Sequence, residues 1–239
     1  MTNHYLMSMD RSTDVANHHT DVAVLPVGSF EQHGSHLPLA TDTIIACAIG
    51  EGLARAYDLR LLPPLTFSCS HEHASFPGTV SISPATLAAI VTDILADLSR
   101  TGIERLVLVN AHGGNYVLSN AAQQANVVRP TILLFPSSSV WAAARTAAGC
   151  VTTVHDDMHA GEAETAILLH LAPELVSEEW TQNDCEVPSR PYLTLVGVHG
   201  YSPTGVIGTP SKATPEKGRL LLTALVDAFD EPLKLLRGG

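Results

Sequence analysis

Short apolar runs alternate with segments of helical period along this chain. Residues 21–28 (DVAVLPVG) form a continuous apolar run that closes on a glycine, the pattern of a strand buried on both faces. Residues 43–57 (TIIACAIGEGLARAY) place apolar side chains at helical spacing, with Asp42 in N-cap position. Residues 59–65 make a second short apolar run. Pro84–Arg100 predicts a strongly amphipathic helix: Ser83 can cap it, Pro84 fits its first turn and Gly102 follows its end. Arg105–Asn110 (RLVLVN) reads as a strand, residues 115–128 as a helix and 131–136 as another strand. Glu162–Leu171 predicts a helix that stops before Pro173, and residues 215–236 predict a final amphipathic one. Strands separated by helices are βαβ units, so the predicted class is α/β with a mainly parallel sheet and helices on both faces.

Ligands of such sheets sit outside the carboxyl ends of the strands, and three loops there carry unusual polar residues. The first, residues 29–42, reads SFEQHGSHLPLATD. Glu31 and His33 are two apart and share a side of an extended segment, and Asp42 follows at a helix start. A carboxylate, an imidazole and a second carboxylate suit Zn²⁺, Mn²⁺ or Fe²⁺. Taken alone, the pair is a weak signal, because a solvated Glu31 and a capping Asp42 explain the residues equally well. The second loop, NAHGGN, puts His112 at a strand end, with Gly113 and Gly114 allowing close backbone approach. The third, HDDMHAGEAETAILLH, holds His159 and Glu164 around a helix start. Glu164 falls among Ala163, Ala166, Ile167 and Leu168, where an unpaired carboxylate is costly and a cation would remove the cost. Glu162 is expected to be the exposed one.

Composition narrows the field. The chain has 239 residues, of which 45% are hydrophobic, enough for a full core, and reads as one domain over 21–239 behind a flexible segment, 1–20. With 24 acidic against 13 basic residues, and no basic cluster, it is not expected to bind nucleic acid. No apolar run reaches the ~18 residues of a membrane span, and the first twenty residues lack the apolar stretch of a signal peptide, so a cytoplasmic protein is expected. Four cysteines without CxxC spacing predict reduced thiols. Twelve histidines are the compositional hint of metal or proton chemistry.

Four segments carry a more specific signal: LPVGSFEQHGSHLPLATD, FPGT at 76–79, NAHGGN and HAGEAET. In this order and spacing the chain resembles the creatininase family of metal-dependent amidohydrolases, from about residue 22 to residue 173. The resemblance implies a three-layer α/β/α sandwich, a homo-oligomer (often a hexamer) and two divalent metal ions per subunit, zinc first, with manganese or iron as alternatives. It implies Glu31, Asp42 and His112 as ligands of one metal, and His33 and Asp42 as ligands of the second. Creatininase proper completes the second site with a Glu two residues after the NxH histidine, where this chain has Gly114; Glu164 is the expected substitute. His159 matches a histidine beside the substrate and is expected to be catalytic. Asp156, Ser70 and Gly113 are expected to contact substrate. Creatininase proper also has a Trp where this chain has His155 and a Tyr where it has Gly113, which counts against creatinine itself.

The expected activity is hydrolysis of a non-peptide C–N bond in a small amide, a formamide or lactam, by metal-activated water, with His159 protonating the leaving nitrogen. The alternatives are a peptidase, since one family branch trims a small precursor peptide in mycofactocin maturation, and a catalytically idle scaffold. His71, Glu72 and His73 are expected to line the pocket mouth rather than ligate. Trp141 and Trp180 are expected in the core or an interface, and His4, His18 and His19 in the terminal segment. Ser29 and the 137–139 serines lack a GxSxG elbow.

Overall fold

In the computed structural model, residues 8–238 are described. Four strands, β1 (Val22–Val27), β2 (Arg60–Leu61), β3 (Arg105–Asn110) and β4 (Ile132–Phe135), form one sheet in the order β2-β1-β3-β4. All three pairings are parallel, with Val22 opposite Arg105 and Leu106 opposite Ile132. Alternate residues of the central strands feed two cores. Val22, Val24, Val107, Val109 and Phe135 face one side, against α2 (Thr41–Tyr57), α5 (Ser138–Ala147), α6 (Glu162–Leu171) and α8 (Pro215–Asp227). Ala23, Leu25, Val27, Leu106 and Leu108 face the other, against α3 (Pro84–Arg100) and α4 (Val117–Ala125). The fold is the three-layer α/β/α sandwich.

The helix α3 has the expected bounds, and Ser83 Oγ accepts the Thr86 N–H at its start. Elsewhere the structure departs from the pattern. Residues 59–65 contribute only the two-residue β2 and an isolated bridge from Leu65 to Val27. The predicted helix over 215–236 is two helices, α8 and α9 (Asp230–Arg237), because Phe229 turns inward and is fully buried between them. Helix α5 was not anticipated; its apolar content is largely alanine, and Ser137 caps it by accepting the Val140 N–H. Within 8–20, expected as a flexible tail, α1 (Ser12–Asn17) leads to contacts of Arg60 with Asp10 and His18, while His4 lies outside the described residues. Between α6 and α8 only α7 (Leu193–Val196) and short turns occur. No helix among the described residues is long and apolar enough to cross a membrane.

Candidate metal centre

The loop after β1, the loop after β3 and the start of α6 meet at the carboxyl edge of the sheet. Asp42 is not the cap of α2 but lies inside its first turn, where it is buried and points to the strand ends. Its two oxygens divide the site. Oδ2 lies 3.3 Å from His112 Nδ1, which is 3.1 Å from Glu31 Oε1. Oδ1 lies 3.1 Å from His33 Nε2, which is 3.9 Å from Glu164 Oε2. Glu31/Asp42/His112 and His33/Asp42/Glu164 are therefore two compact donor groups sharing one carboxylate, and Glu31/His33/His159 is a third. Donor atoms bound to one tetrahedral cation at ~2.1 Å sit roughly 3.4 Å apart, close to these separations.

The donors fit a cation better than they fit one another. Glu31 Oε1 and Asp42 Oδ2 are buried with no hydrogen-bond partner, although Ser29 Oγ donates to Glu31 Oε2 at 2.8 Å. No Lys or Arg pairs with Glu31, Asp42 or Glu164 among the described residues. Each neighbouring histidine gives one ring N–H to a backbone carbonyl: His33 Nδ1 to Glu31 (3.0 Å), His112 Nε2 to Cys69 (2.9 Å) and His159 Nε2 to Gln32 (2.6 Å). The other nitrogen of each faces the carboxylates, the arrangement that orients imidazole ligands in metal sites once a cation displaces any proton there. Burial opposes charge throughout, yet neighbours override it: His112 holds Glu31 down at about 2, and Asp42 raises His33 to about 9. Burial, with the charges of Asp42 and Asp157 added to it, pushes Glu164 up to about 7 against His33. Burial, reinforced by His33 and His73, holds His159 well below the usual imidazole range.

Glu162 departs from the exposure expected for it, whereas Glu164 stays largely buried at the centre. Glu162 is fully buried, because Lys217 Nζ (2.5 Å), Thr152 Oγ1 (2.6 Å) and backbone N–H groups of Val151 and Thr152 meet its carboxylate. Glu164 is the less buried of the two, and its side chain is 21% exposed. The Ala160 N–H donates to Glu164 Oε2 at 2.6 Å from a left-handed backbone (φ 53°), a conformation an alanine adopts only under constraint. The backbone of His159 is pinned to Ile207 by two hydrogen bonds.

Ser70 is fully buried and contacts Ser29 Oγ, so it braces Glu31 indirectly. Asp156 is exposed and accepts a hydrogen bond from Thr153 Oγ1. Gly113 lines a cavity of about 230 Å³ with Ile45, Trp141, Met158 and Glu164, open to the second donor group. His155 is exposed and donates to the Pro188 carbonyl. A side chain at position 114 would overlap Glu72 Oε1, so the space a carboxylate there would need is already filled. Glu72 lies 3.5 Å from His112 Nε2, the side of the ring turned away from the donors, so Glu164 and not Glu72 completes the second group.

Two supports escape the motif reading. Asn115 accepts the Cys69 N–H and donates to Asn110, which donates to the His112 carbonyl, so both asparagines of NAHGGN hold the histidine loop. Gln32 and His73 contact each other beside Glu31. The asparagines were visible as polar residues in a glycine turn after a strand; nothing in sequence spacing joins 32 to 73.

The family model for creatininase, described as creatinine amidohydrolase, matches residues 7–233. A mycofactocin precursor peptide peptidase of Mycobacterium ulcerans is 36% identical over 217 residues, covering 85% of this chain and 81% of the relative. Creatinine amidohydrolase of Pseudomonas putida is 27% identical, over 89% and 88%. A solved creatininase variant of Zn-Zn type superposes with a TM-score of 0.75 at 26% identity, covering 92% of this chain and 91% of the other. A match spanning nearly the whole chain, on a structure that gathers the motif residues into one centre, carries a plain conclusion: the chain belongs to the creatininase family of hydrolases.

Proposed function

We propose that this chain is a metal-dependent peptidase that releases a short piece from a small precursor peptide by hydrolysing an amide bond. One observation carries the metal half of this reading: two donor groups share Asp42, and two of their buried carboxylate oxygens lack a hydrogen bond. Glu31, Asp42 and His112 would hold one cation, and His33, Asp42 and Glu164 the other; zinc is favoured by the donor set and by the Zn-Zn relative. Three carboxylates with no permanent cation suit two divalent ions, whose four positive charges exceed them by one. Such ions supply a Lewis acid that lowers the pKa of water from ~16 toward ~7.

The protein's own residues supply the rest. His159 hands Nε2–H to a carbonyl and keeps Nδ1 bare beside Glu31, so its resting form is a base. It takes a proton from the attacking water and returns it to the departing nitrogen as the C–N bond breaks. The cavity beside Glu164 has mainly apolar walls, suited to an apolar or aromatic residue flanking the cleaved bond. A peptide substrate is supported by the 36% identity to the precursor-peptide peptidase against 27% to the creatinine enzyme. It is also supported by the loss of aromatic cover, with Gly113 bare and His155 turned to Pro188. Incubating the zinc-loaded protein with a short peptide ending in an apolar and an aromatic residue, and with a panel of formamides and lactams, tests the reading. Cleavage of the peptide is expected; turnover of only the small amides would replace it with the non-peptide activity.

A further inference from the structure

A fourth buried imidazole stands at the centre and is built opposite to the other three. His73 is 2% exposed, and its ring lies 4.3 Å from that of His159. Where His33, His112 and His159 meet backbone carbonyls, His73 Nδ1 meets the side-chain amide of Gln32, with Nε2 of Gln32 at 2.8 Å. Two backbone groups set which way that amide points. Gln32 Oε1 accepts the Gly34 N–H at 2.9 Å, and Gln32 Nε2 donates to the Gly205 carbonyl at 3.0 Å. Reversing the amide would set its NH₂ against an N–H and its oxygen against a carbonyl. Gln32 Nε2 therefore has its second hydrogen for His73 Nδ1, which must accept it. A neutral imidazole that accepts at Nδ1 carries its own hydrogen at Nε2. That nitrogen lies 3.3 Å from Glu31 Oε1, close enough to act on its charge but off the line of a formed hydrogen bond, which this buried oxygen lacks. The clamp is tight: Gly205 sits at φ 84°, and a Cβ there would overlap the Gln32 amide.

We propose that His73 is a positioning residue for the Glu31 carboxylate, locked by Gln32 into the form that presents a hydrogen, not a lone pair, to Oε1. This rests on the reading of Glu31 as a metal ligand. The tautomer separates two roles that proximity alone would confuse. A bare Nε2 would set a lone pair against the Glu31 carboxylate, from a ring that stands outside the three compact donor groups. With the hydrogen at Nε2, His73 steadies one lobe of the carboxylate and leaves the coordination open. Outer groups of this kind are worth roughly 10–100-fold in metal affinity.

The test begins with metal-free protein carrying ¹⁵N-labelled histidine, in which two-bond ¹H–¹⁵N correlations report the tautomer; the His73 signals are those lost in His73→Gln. Hydrogen at Nε2 and a bare Nδ1 are expected, and hydrogen at Nδ1 overturns the proposal. Zinc affinity by chelator competition is the second readout. His73→Leu should bind zinc about tenfold or more weakly. His73→Gln, whose amide can still donate, should recover most of that loss. Unchanged zinc affinity in His73→Leu, or no recovery in a folded His73→Gln, overturns the role. Should the wild-type protein take up no zinc, the metal-centre reading fails by itself, while the tautomer still reports whether Gln32 sets the ring.

Discussion

Two clusters of buried charge meet the start of α6, and they are solved differently. In one, Asp157 and Glu162 face Arg145 and Lys217, two negative against two positive side chains. Arg145 Nη2 reaches Asp157 at 2.8 Å, Lys217 reaches Glu162 at 2.5 Å, and Asp157 also accepts the Glu162 and Ala163 N–H groups that open the helix. Every carboxylate oxygen there has a partner. In the other, Glu31, Asp42 and Glu164 have imidazoles but no Lys or Arg among the described residues, and two carboxylate oxygens have no hydrogen bond. Burying a charge without compensation costs several kcal/mol, so a fold that keeps the second cluster is arranged for something the chain does not itself provide. Completeness marks a structural cluster; incompleteness marks a site.

The sharpest way to break this comparison is to remove a donor from the incomplete cluster. Glu31→Gln and His112→Ala should each lose metal and activity together, with turnover down by on the order of 10³-fold, since the Lewis acid that makes the nucleophile is lost. Full metal content by elemental analysis in either variant would mean that the donor groups are misread. Glu164→Gln should act one step more weakly. Metal content should fall from about two to about one per subunit, and turnover by on the order of 10²-fold, because only His33 and Asp42 would remain at that group. His159→Ala, by contrast, should keep both metals and lose rate; loss of a metal would move His159 into the ligand set with Glu31 and His33.

The complete cluster should answer in the other currency. Glu162→Gln leaves Lys217 and Arg145 facing one carboxylate in place of two, so unfolding stability should drop by about 3 kcal/mol by denaturant titration. Metal content and turnover of the folded fraction should stay near wild type. Loss of a metal in Glu162→Gln with two retained in Glu164→Gln would exchange the roles assigned to these neighbours.

Sequence distinguished these clusters only halfway. The strand–helix alternation, the bounds of α3, β3 and α6, and five donors on three loops were all legible, because apolar period and motif spacing are local properties. What failed was non-local. Glu162 looked exposed because its cation, Lys217, lies on α8, and its other partners lie before the motif at 151 and 152. The Gln32–His73 contact joins a β1 loop to a short turn after β2, and it is decided by carbonyl and N–H groups of Gly205 and Gly34 that no side-chain pattern encodes. Helix α5 was missed for a different reason: its apolar residues are mostly alanine, which mark a helix less clearly than larger side chains do.

Acid should separate the two regions by a smaller effect. His36 belongs to the ligand-bearing loop; it is buried, donates Nε2–H toward the Ala160 carbonyl, and its Nδ1 has no partner. Burial lowers its imidazole from 6.5 to about 4. The unfolded chain therefore binds a proton that the folded protein refuses, and stability present above pH 6.5 is lost as pH falls through 4, at no more than about 1.4 kcal/mol per pH unit. Glu162 has the same sign in a lower window. Its carboxyl is held below 4.5, with burial opposed by Lys217 and Thr152, so its contribution is intact above pH 4.5 and disappears only further into acid. Metal-free protein should thus soften first on the side of the ligand loop, between pH 6.5 and 4, before the ion cluster lets go. Denaturant melts across this range, with His36→Asn and Glu162→Gln, check the order. The first variant should reduce the slope above pH 4.5, to which the depressed His73 and His159 contribute with the same sign, and the second only the slope below it. An unchanged slope above pH 4.5 in a folded His36→Asn would assign the early loss to His73 and His159.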